Sequence, residues 1–227
     1  ADKSSYVTEK FTDDGDFYRK HVINPAIFSL LGDIKGKTIL DAGSGQGYLS
    51  RLLAKQGAIV TSLEPAEGLI AYAIERERTE KLGITHIKAD LSTWNEKPSN
   101  FDIVVSNMVF MDIPDWKSAI ENCVTSLKKG GIFVFSISHP CFDQEEGRSD
   151  KPYAEIKNYF NEYSIQNYIG YSFHHMLSDY INLVINYGCT IKRIMEPQLP
   201  KEFSEKNDLY ARDKNVPNFL LVKATKE

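Results

Sequence analysis

The chain has 227 residues and a formal net charge of −4; 42% of its residues are hydrophobic and 26% are charged. This composition fits one large globular domain with room for a small insertion, and the lack of a basic run disfavours nucleic-acid binding by phosphate neutralisation. No apolar run reaches the ~18 residues of a membrane span, and the N-terminus lacks the apolar core of a signal peptide. We therefore expect a cytoplasmic protein with no nucleic-acid partner and no membrane association.

The predicted elements begin with a helix over residues 16–31, interrupted near Asn24-Pro25 because the residue before a proline avoids the α region. Its buried stripe is formed by Ile23, Ile27, Leu30 and Leu31. Strands are then predicted at about 37–41, 58–63, 84–88, 101–106, 132–137, 191–195 and 219–223. Helices are predicted at about 46–56, 66–81, 116–127 and 176–187, with a turn at 129–131.

Alternation of strands and helices predicts a parallel sheet covered on both faces. The stretch from Ser138 to about Phe173 breaks this alternation, since it is long, aromatic and polar. A connection of that length inside one domain is usually functional. We expect an α/β fold: a doubly wound, mostly parallel seven-stranded sheet with helices on both faces, and an aromatic insertion after strand five.

The first predicted strand ends in Asp41-Ala42-Gly43-Ser44-Gly45-Gln46-Gly47. This is the strand, tight turn and helix start at which open α/β sheets hold adenosyl ligands. The spacing is G-x-G-x-G, whereas dinucleotide sites use G-x-G-x-x-G to bring a pyrophosphate onto helix amides. A carboxylate at Asp41 would repel a pyrophosphate but could accept hydrogen bonds from an ammonium group. The motif therefore predicts an adenosyl ligand that is cationic and lacks phosphate; Asp41 would contact it directly or through water, or would instead cap the turn.

Four further motifs follow in order along the chain: Leu63-Glu64-Pro65, Ala89-Asp90-Leu91, Phe101 to Asn107, and Leu127 to Val134. With the glycine motif, they resemble the class I S-adenosylmethionine-dependent methyltransferases over roughly residues 17–137. The resemblance implies S-adenosyl-L-methionine as the cofactor. It divides the chain into an N-terminal helical or lid segment (1–36), a cofactor-binding core (37–137), a substrate-capping insertion (138–175) and the C-terminal part of the core (176–227).

Two acids after strand ends are candidates for the nucleoside. Glu64 lies at the end of strand two, where an acid can accept hydrogen bonds from both ribose hydroxyls; a helix cap is the alternative, and Pro65 follows it. The resemblance implies that Asp90 lies near the adenine amine and that Leu91 packs the ring, although Asp90 could also cap the next turn.

Strand four ends in Asn107-Met108, which we expect to contact cofactor or substrate from the crevice outside the strand ends, although Met108 could belong to the core. Enzymes that methylate amide or adenine amino groups carry Asn/Asp-Pro-Pro-Tyr/Phe here, so Asn107-Met108-Val109-Phe110 disfavours those substrates. Tyr18 and Arg19 are predicted to close over the carboxylate end of the cofactor, because the fork geometry of an Arg suits a carboxylate. The alternative for Arg19 is an exposed residue on the entry helix.

Histidines are the candidate catalytic groups, because an imidazole titrates near neutral pH and can accept a proton from the acceptor. His139 follows strand five and is the first candidate; His174, before a helix, is the second. The alternative for His139 is a loop residue hydrogen-bonded to the backbone, and the alternative for His174 is a neutral imidazole at a helix N-terminus. The aromatic side chains of the insertion predict a lining for a planar or partly apolar acceptor, or packing of the insertion on the sheet: Tyr153, Tyr159, Phe160, Tyr163, Tyr168, Tyr171 and Phe173. Tyr6 and Phe11 are candidate lid residues.

We predict no metal. The three cysteines, Cys123, Cys141 and Cys189, are scattered, and of the two acids near strand four Asp115 is explained as a helix cap, leaving Asp112 alone. The predicted function is methyl transfer to an oxygen or nitrogen of a small aromatic or heterocyclic acceptor. The alternatives are a methyltransferase acting on RNA or protein, a dinucleotide-dependent oxidoreductase, and a module that binds the cofactor without transfer.

Overall fold

The computed structural model describes residues 12–94, 100–142, 156, 158–166, 170–205, 210 and 212–227. Helices in these ranges are α1 (Asn24–Leu31), α2 (Tyr48–Lys55), α3 (Glu67–Glu80), α4 (Trp116–Ser126), α5 (Leu177–Asn186) and α6 (Lys201–Ser204). Strands are β1 (Thr38–Ala42), β2 (Ile59–Leu63), β3 (Thr85–Ile87), β4 (Phe101–Asn107), β5 (Leu127–Ser138), β6 (Tyr163–Gln166), β7 (Tyr171–His174), β8 (Cys189–Met195) and β9 (Phe219–Lys226). Short turns of π- and 3-10 helix span Arg19–Ile23, Phe110–Asp112 and Arg212–Lys214.

Seven strands form one sheet in the order β3-β2-β1-β4-β5-β9-β8. Neighbours from β3 to β5 pair parallel, and β9 pairs antiparallel with both β5 and β8. The predicted doubly wound, mostly parallel seven-stranded sheet is therefore confirmed. The order reverses between β1 and β4, so their carboxyl ends form the topological switch point at which such sheets bind ligands.

Two buried clusters cover the two faces of the sheet, because successive strand residues point to opposite sides. Leu40 and Val104 pack with α4 on one face, whereas Ile39 and Val105 pack with α1 and α2 on the other. The predicted apolar stripe of the first helix is buried, with Ile27 fully inaccessible. Helix α1 therefore belongs to the core of the sheet.

Two local predictions were wrong in detail, and one pair of strands was not predicted. The predicted interruption at Asn24-Pro25 is instead a change of helix type, from the π-helical turn directly into α1. Pro25 fits there because the first helical N–H groups need no partner. The predicted turn at 129–131 lies inside β5, at an irregularity in the pairing of β5 with β4. Leu127 pairs with Phe101, and the next paired residue of β5 is Ile132. The insertion contains an unpredicted two-stranded antiparallel sheet, β6 with β7.

Candidate functional site

A cavity of about 320 Å³ opens at the switch point, outside the carboxyl ends of β1 to β4. Its volume lies in the range of small-molecule sites. The residues that line it are Arg19, Gly43, Ser44, Gly45, Gln46, Tyr48, Glu64, Pro65, Leu69, Asp90, Leu91, Asn107, Met108, Val109, Asp112, Ile113 and Pro114. Nine of the twelve predicted cofactor residues are therefore together here; Tyr18, Asp41 and Gly47 are not among the lining residues.

The glycine loop forms one wall of the cavity. Its first two amides, from Gly43 and Ser44, donate to the Leu63 carbonyl at 2.9 and 3.0 Å, which fixes the loop to the end of β2. Gly43 has φ +79°, and a Cβ there would lie 2.6 Å from the Val109 side chain. A Cβ on Gly45 would meet no atom within 4 Å. The loop thus packs tightly on one side and leaves free space on the side of the cavity.

Glu64 lies behind the loop with 7% of its surface exposed. One carboxylate oxygen accepts from the Gly45 amide and the other from the Ala66 amide, both at 2.9 Å. Burial raises the pKa of the Glu64 carboxyl, and these two hydrogen bonds lower it. Each carboxylate oxygen can accept a further hydrogen bond, so the side chain is oriented and still has acceptor capacity toward the cavity.

Asp41 is enclosed, with 1% exposure, and its carboxylate accepts from Ser50 Oγ on α2 at 2.5 Å. Burial raises its pKa to about 7, and the charge of Glu64 acts in the same direction. The side chain faces α2 instead of lining the cavity, because the helix start brings Ser50 above the end of β1. A direct contact between Asp41 and a ligand remains a prediction.

Asp90 and Leu91 both line the cavity. Asp90 also caps the turn that follows β3, since its Oδ1 accepts from the Ser92 amide at 2.8 Å and the Ser92 hydroxyl at 2.7 Å. The position supports both interpretations of Asp90, because one carboxylate oxygen caps the turn while the residue borders the cavity. Asn122 on α4 donates to the Leu91 carbonyl at 2.8 Å and holds this loop.

The end of β4 is held by a polar network that sequence reasoning missed. Asn107 donates to the Tyr48 hydroxyl at 2.6 Å, and Tyr48 donates to the Asn24 side chain at 3.1 Å. Ser136 Oγ donates to the side-chain oxygen Oδ1 of Asn107 at 2.6 Å and accepts from the Met108 backbone amide at 3.0 Å. Met108 has φ +60°, a strained backbone for a non-glycine residue, and this network holds it there.

Tyr18 and Arg19, which were both predicted to contact the carboxylate end of the cofactor, lie in different cavities. Arg19 lines the cavity and pairs with Asp16 at 2.6 Å. Tyr18 donates to Asp213 at 2.6 Å and borders a different cavity of about 120 Å³. The two side chains point apart because they are adjacent on a helical turn, where neighbours do not share a face.

Neither predicted catalytic histidine lines the cavity. His139 is buried and its Nε2 lies 2.8 Å from Glu196, while its ring packs on Phe142. His174 is buried, with Nε2 3.0 Å from the Tyr159 carbonyl oxygen and its ring stacked on Tyr163. These contacts are those of structural histidines, so the geometry of the described residues gives no support to a proton-accepting role for either.

The described aromatic residues of the insertion are also not among the residues that line the cavity. Phe160 and Tyr171 are 83% and 54% exposed, and the Tyr159 hydroxyl accepts from the Leu177 amide at 2.9 Å. The candidates Tyr6, Phe11, Tyr153 and Tyr168 lie outside the described residues. Within the described ranges, no three His, Cys, Asp or Glu side chains are placed to hold a metal ion.

Further lining residues were missed, although they stand inside or beside the motifs. Ser44 Oγ is buried and has no hydrogen-bond partner among the described residues. Gln46 is fixed by Arg51, which donates to its backbone carbonyl and side-chain oxygen, both at 2.9 Å. Ser44 and Gln46 occupy the two x positions of the G-x-G-x-G motif. The motif does not specify which residues stand there, so it did not predict that they line the cavity. Asp112 was considered only as a metal ligand.

The fold and the cavity define a class of protein: a doubly wound α/β protein with a cavity at its switch point, lined by a glycine loop and an acid after the second strand. Residues 40–135 match the family model described as "Methyltransferase domain". A structure described as an S-adenosylmethionine-dependent methyltransferase from Mesorhizobium loti is 25% identical, with a TM-score of 0.78 over 89% of this chain and 96% of that one. The chain therefore contains a methyltransferase domain and has the α/β fold of the class I S-adenosylmethionine-dependent methyltransferases.

Curated relatives match over the same region. "Ubiquinone biosynthesis O-methyltransferase" of Coxiella burnetii is 35% identical over 119 residues, which is 51% of each chain. The protein of that name from Photorhabdus laumondii is 33% identical over 132 residues, 54% of this chain and 53% of that one. The chain thus spans about half the length of the curated relatives it matches. The described residues contain no helix that is long and apolar enough to cross a membrane.

Proposed function

We propose that this chain binds S-adenosyl-L-methionine in the 320 Å³ cavity and transfers its methyl group to an oxygen or nitrogen of a small aromatic or heterocyclic molecule. Bound S-adenosylmethionine would supply a methyl group already activated on a sulfonium. The protein then has to position an acceptor in line with that methyl group and exclude water. The names of the curated relatives favour oxygen as the acceptor atom.

The observation that carries the proposal is Glu64. Its carboxylate is buried, oriented by the Gly45 and Ala66 amides, and retains acceptor capacity beside the glycine loop. Two vicinal ribose hydroxyls are donors that suit such a carboxylate. The orphaned Ser44 hydroxyl and the open space beside Gly45 fit a ligand in the same place. Asp90 and Leu91 would then face the base, Arg19 the carboxylate of the methionine moiety, and Asp41 its ammonium through water.

The fit separates this cofactor from a dinucleotide. The loop lacks the G-x-G-x-x-G spacing that aims helix amides at a pyrophosphate, and the carboxyl group of Asp41 lies at its start. An ionised Asp41 would raise the free energy of a bound pyrophosphate and lower that of a ligand with an ammonium group. Glu64 supports an adenosyl ligand of either kind, because an acid at that position also suits the ribose of NAD.

Calorimetry with S-adenosylhomocysteine and with NAD tests the proposal. We expect a single site for S-adenosylhomocysteine and no heat with NAD. Glu64→Gln removes the charge that receives the hydroxyls, and charge-assisted hydrogen bonds contribute roughly 1.5–3 kcal/mol each, so the affinity should fall at least about tenfold. Glu67→Gln is the matched control, because Glu67 is an exposed residue of α3 that pairs with Lys88.

Equal losses in the two variants, with melting temperatures unchanged, would contradict the assignment of Glu64. No binding of S-adenosylhomocysteine by the wild-type protein would contradict the proposed function as a whole. A positive result is followed by transfer of label from methyl-labelled S-adenosylmethionine to small phenols and amines, and to bulk RNA and protein. Label found only in RNA or protein would contradict a small-molecule acceptor and favour the alternative of a methyltransferase that acts on a macromolecule.

A further inference from the structure

Asp112 is a carboxylate on the cavity wall to which no function has been assigned above. It ends the 3-10 turn Phe110–Asp112 that follows β4, and it lines the same cavity as the glycine loop and Glu64. The residue is exposed to solvent. Surrounding protein still raises its pKa to about 6, whereas the hydrogen bond from Ser172 and the charge of Arg19 lower it.

A contact from the insertion fixes the Asp112 carboxylate. Ser172, on β7 of the small hairpin, donates its hydroxyl to Asp112 Oδ1 at 2.6 Å. No described residue donates a hydrogen bond to Asp112 Oδ2. One oxygen therefore holds the orientation of the carboxylate, and the other has its acceptor capacity free for a donor that enters the cavity.

The wall next to Asp112 is apolar. Its members Val109, Ile113 and Pro114 line the cavity together with Met108. Apolar side chains beside one carboxylate suit a flat ring that carries a hydroxyl group, because the ring is removed from water while the hydroxyl finds a partner.

On the basis of the proposed function, we propose that Asp112 is the general base that takes the proton of a phenolic acceptor. The acceptor oxygen forms a bond to the methyl carbon as the carbon–sulfur bond breaks, which leaves methyl ether and S-adenosylhomocysteine. The phenolic proton passes to Asp112 Oδ2 and then to solvent through the mouth of the cavity. Ser172 is a positioning residue, since it acts through Asp112.

Other charged groups lie on the elements that pack against Asp112. Arg19 is the charge that acts on Asp112 across the cavity. The helix α4 and strands β5 and β7 pack against the turn. Their titratable or charged groups, with the cap of α4, are Asp115, Lys117, Glu121, Cys123, Lys128, Lys129, Tyr171 and His174.

The test compares 4-methylphenol with 4-nitrophenol, which have similar size but differ in acidity. At pH 8 the first is neutral and needs a base, whereas the second is already ionised. Asp112→Asn should lower transfer to 4-methylphenol by on the order of 10²–10⁴-fold. Transfer to 4-nitrophenol should stay within about tenfold, because no proton has to be removed. Asp115→Asn is the matched control: the same change three residues away, in a helix cap that asparagine also satisfies.

A second readout does not depend on turnover. Ionised 4-nitrophenol absorbs visible light, so its ionisation can be titrated while it is bound with S-adenosylhomocysteine. An anionic Asp112 disfavours a second anion beside it, so the pKa of bound 4-nitrophenol should be higher in the wild type than in Asp112→Asn. Ser172→Ala removes a hydrogen bond that lowers the pKa of Asp112. The rate of methyl transfer to 4-methylphenol, which should rise with pH as Asp112 ionises, should then rise at a higher pH. A merely structural defect would not shift this pH dependence.

Three results would overturn the inference. The first is equal loss for both phenols in Asp112→Asn, which would indicate a structural role. The second is a pKa of bound 4-nitrophenol that does not differ between the two proteins. The third is wild-type protein that binds S-adenosylhomocysteine but methylates neither phenol. Failure to bind S-adenosylhomocysteine would instead contradict the proposed function, so the two failures are distinct.

Discussion

Asp41 is a carboxylic acid enclosed by protein, and its pKa of about 7 makes the fold sensitive to pH. The unfolded chain releases this proton near pH 4. Between these two values the folded state binds more protons, so its free energy of unfolding falls as the pH rises, by up to about 1.4 kcal/mol per pH unit. Asp41→Asn should reduce this slope between pH 4.5 and 7 while keeping an acceptor for Ser50.

Urea denaturation at a series of pH values measures the slope. Asp102→Asn is the control, because Lys128 and Thr38 lower the pKa of Asp102 to about 2. Asp102 is therefore ionised in both states above about pH 5, and its replacement should leave the slope in the window unchanged. A slope that is identical in Asp41→Asn and wild type would show that Asp41 titrates normally.

Replacing two glycines of the same loop by alanine should affect different properties: the stability of the fold at Gly43 and ligand binding at Gly45. Gly43→Ala places a Cβ 2.6 Å from Val109 at φ +79°, so it should lower the free energy of unfolding by roughly 1–3 kcal/mol. Gly45→Ala meets no atom within 4 Å, so its stability cost should be smaller, limited to the φ of +57°. Its methyl group enters the cavity, so it should instead weaken S-adenosylhomocysteine binding. Thermal unfolding and calorimetry on both variants separate the two effects.

At the level of elements, Tyr48 connects three of them. Its hydroxyl joins Asn107 at the end of β4 to Asn24 at the start of α1, while its own backbone begins α2. Tyr48→Phe leaves two buried amide groups without that partner, at a cost of roughly 1–3 kcal/mol each at most. We expect a loss of about 1–3 kcal/mol in urea denaturation. Tyr72→Phe on the partly exposed α3 should change stability by less than about 0.5 kcal/mol.

The sequence was most informative where the chain repeats a physical pattern. Apolar runs such as residues 101–106 and the glycine motif predicted the strands and the position of the cavity correctly, because burial on both faces and positive φ leave a clear mark on residue choice. The hairpin β6–β7 was missed because its residues are mixed in polarity and only partly buried. Local chemistry favours a histidine as a base, but its packing depends on distant residues such as Glu196.

At the level of the whole molecule, β9 joins the two layers. It lies between β5 and β8, and it contributes Leu221 to one buried cluster and Leu220 and Val222 to the other. Leu221→Ala should therefore lower the free energy of unfolding by about 2–5 kcal/mol within one cooperative transition. Ile194→Ala on β8, where the side chain is 47% exposed, is the control and should cost less than about 1 kcal/mol. A separate early transition in Leu221→Ala would show that the layers unfold independently.

The position of β9 between β5 and β8 also has a consequence for folding during synthesis. Parallel strands β1 to β5 are translated first, but the neighbour that completes the edge of β5 is encoded at residues 219–226. Until that segment leaves the ribosome, β5 presents an open row of amide and carbonyl groups, and β8 lacks the strand with which it pairs. Before residues 219–226 are available, the nascent chain therefore carries an unpaired strand edge that can pair with a second chain.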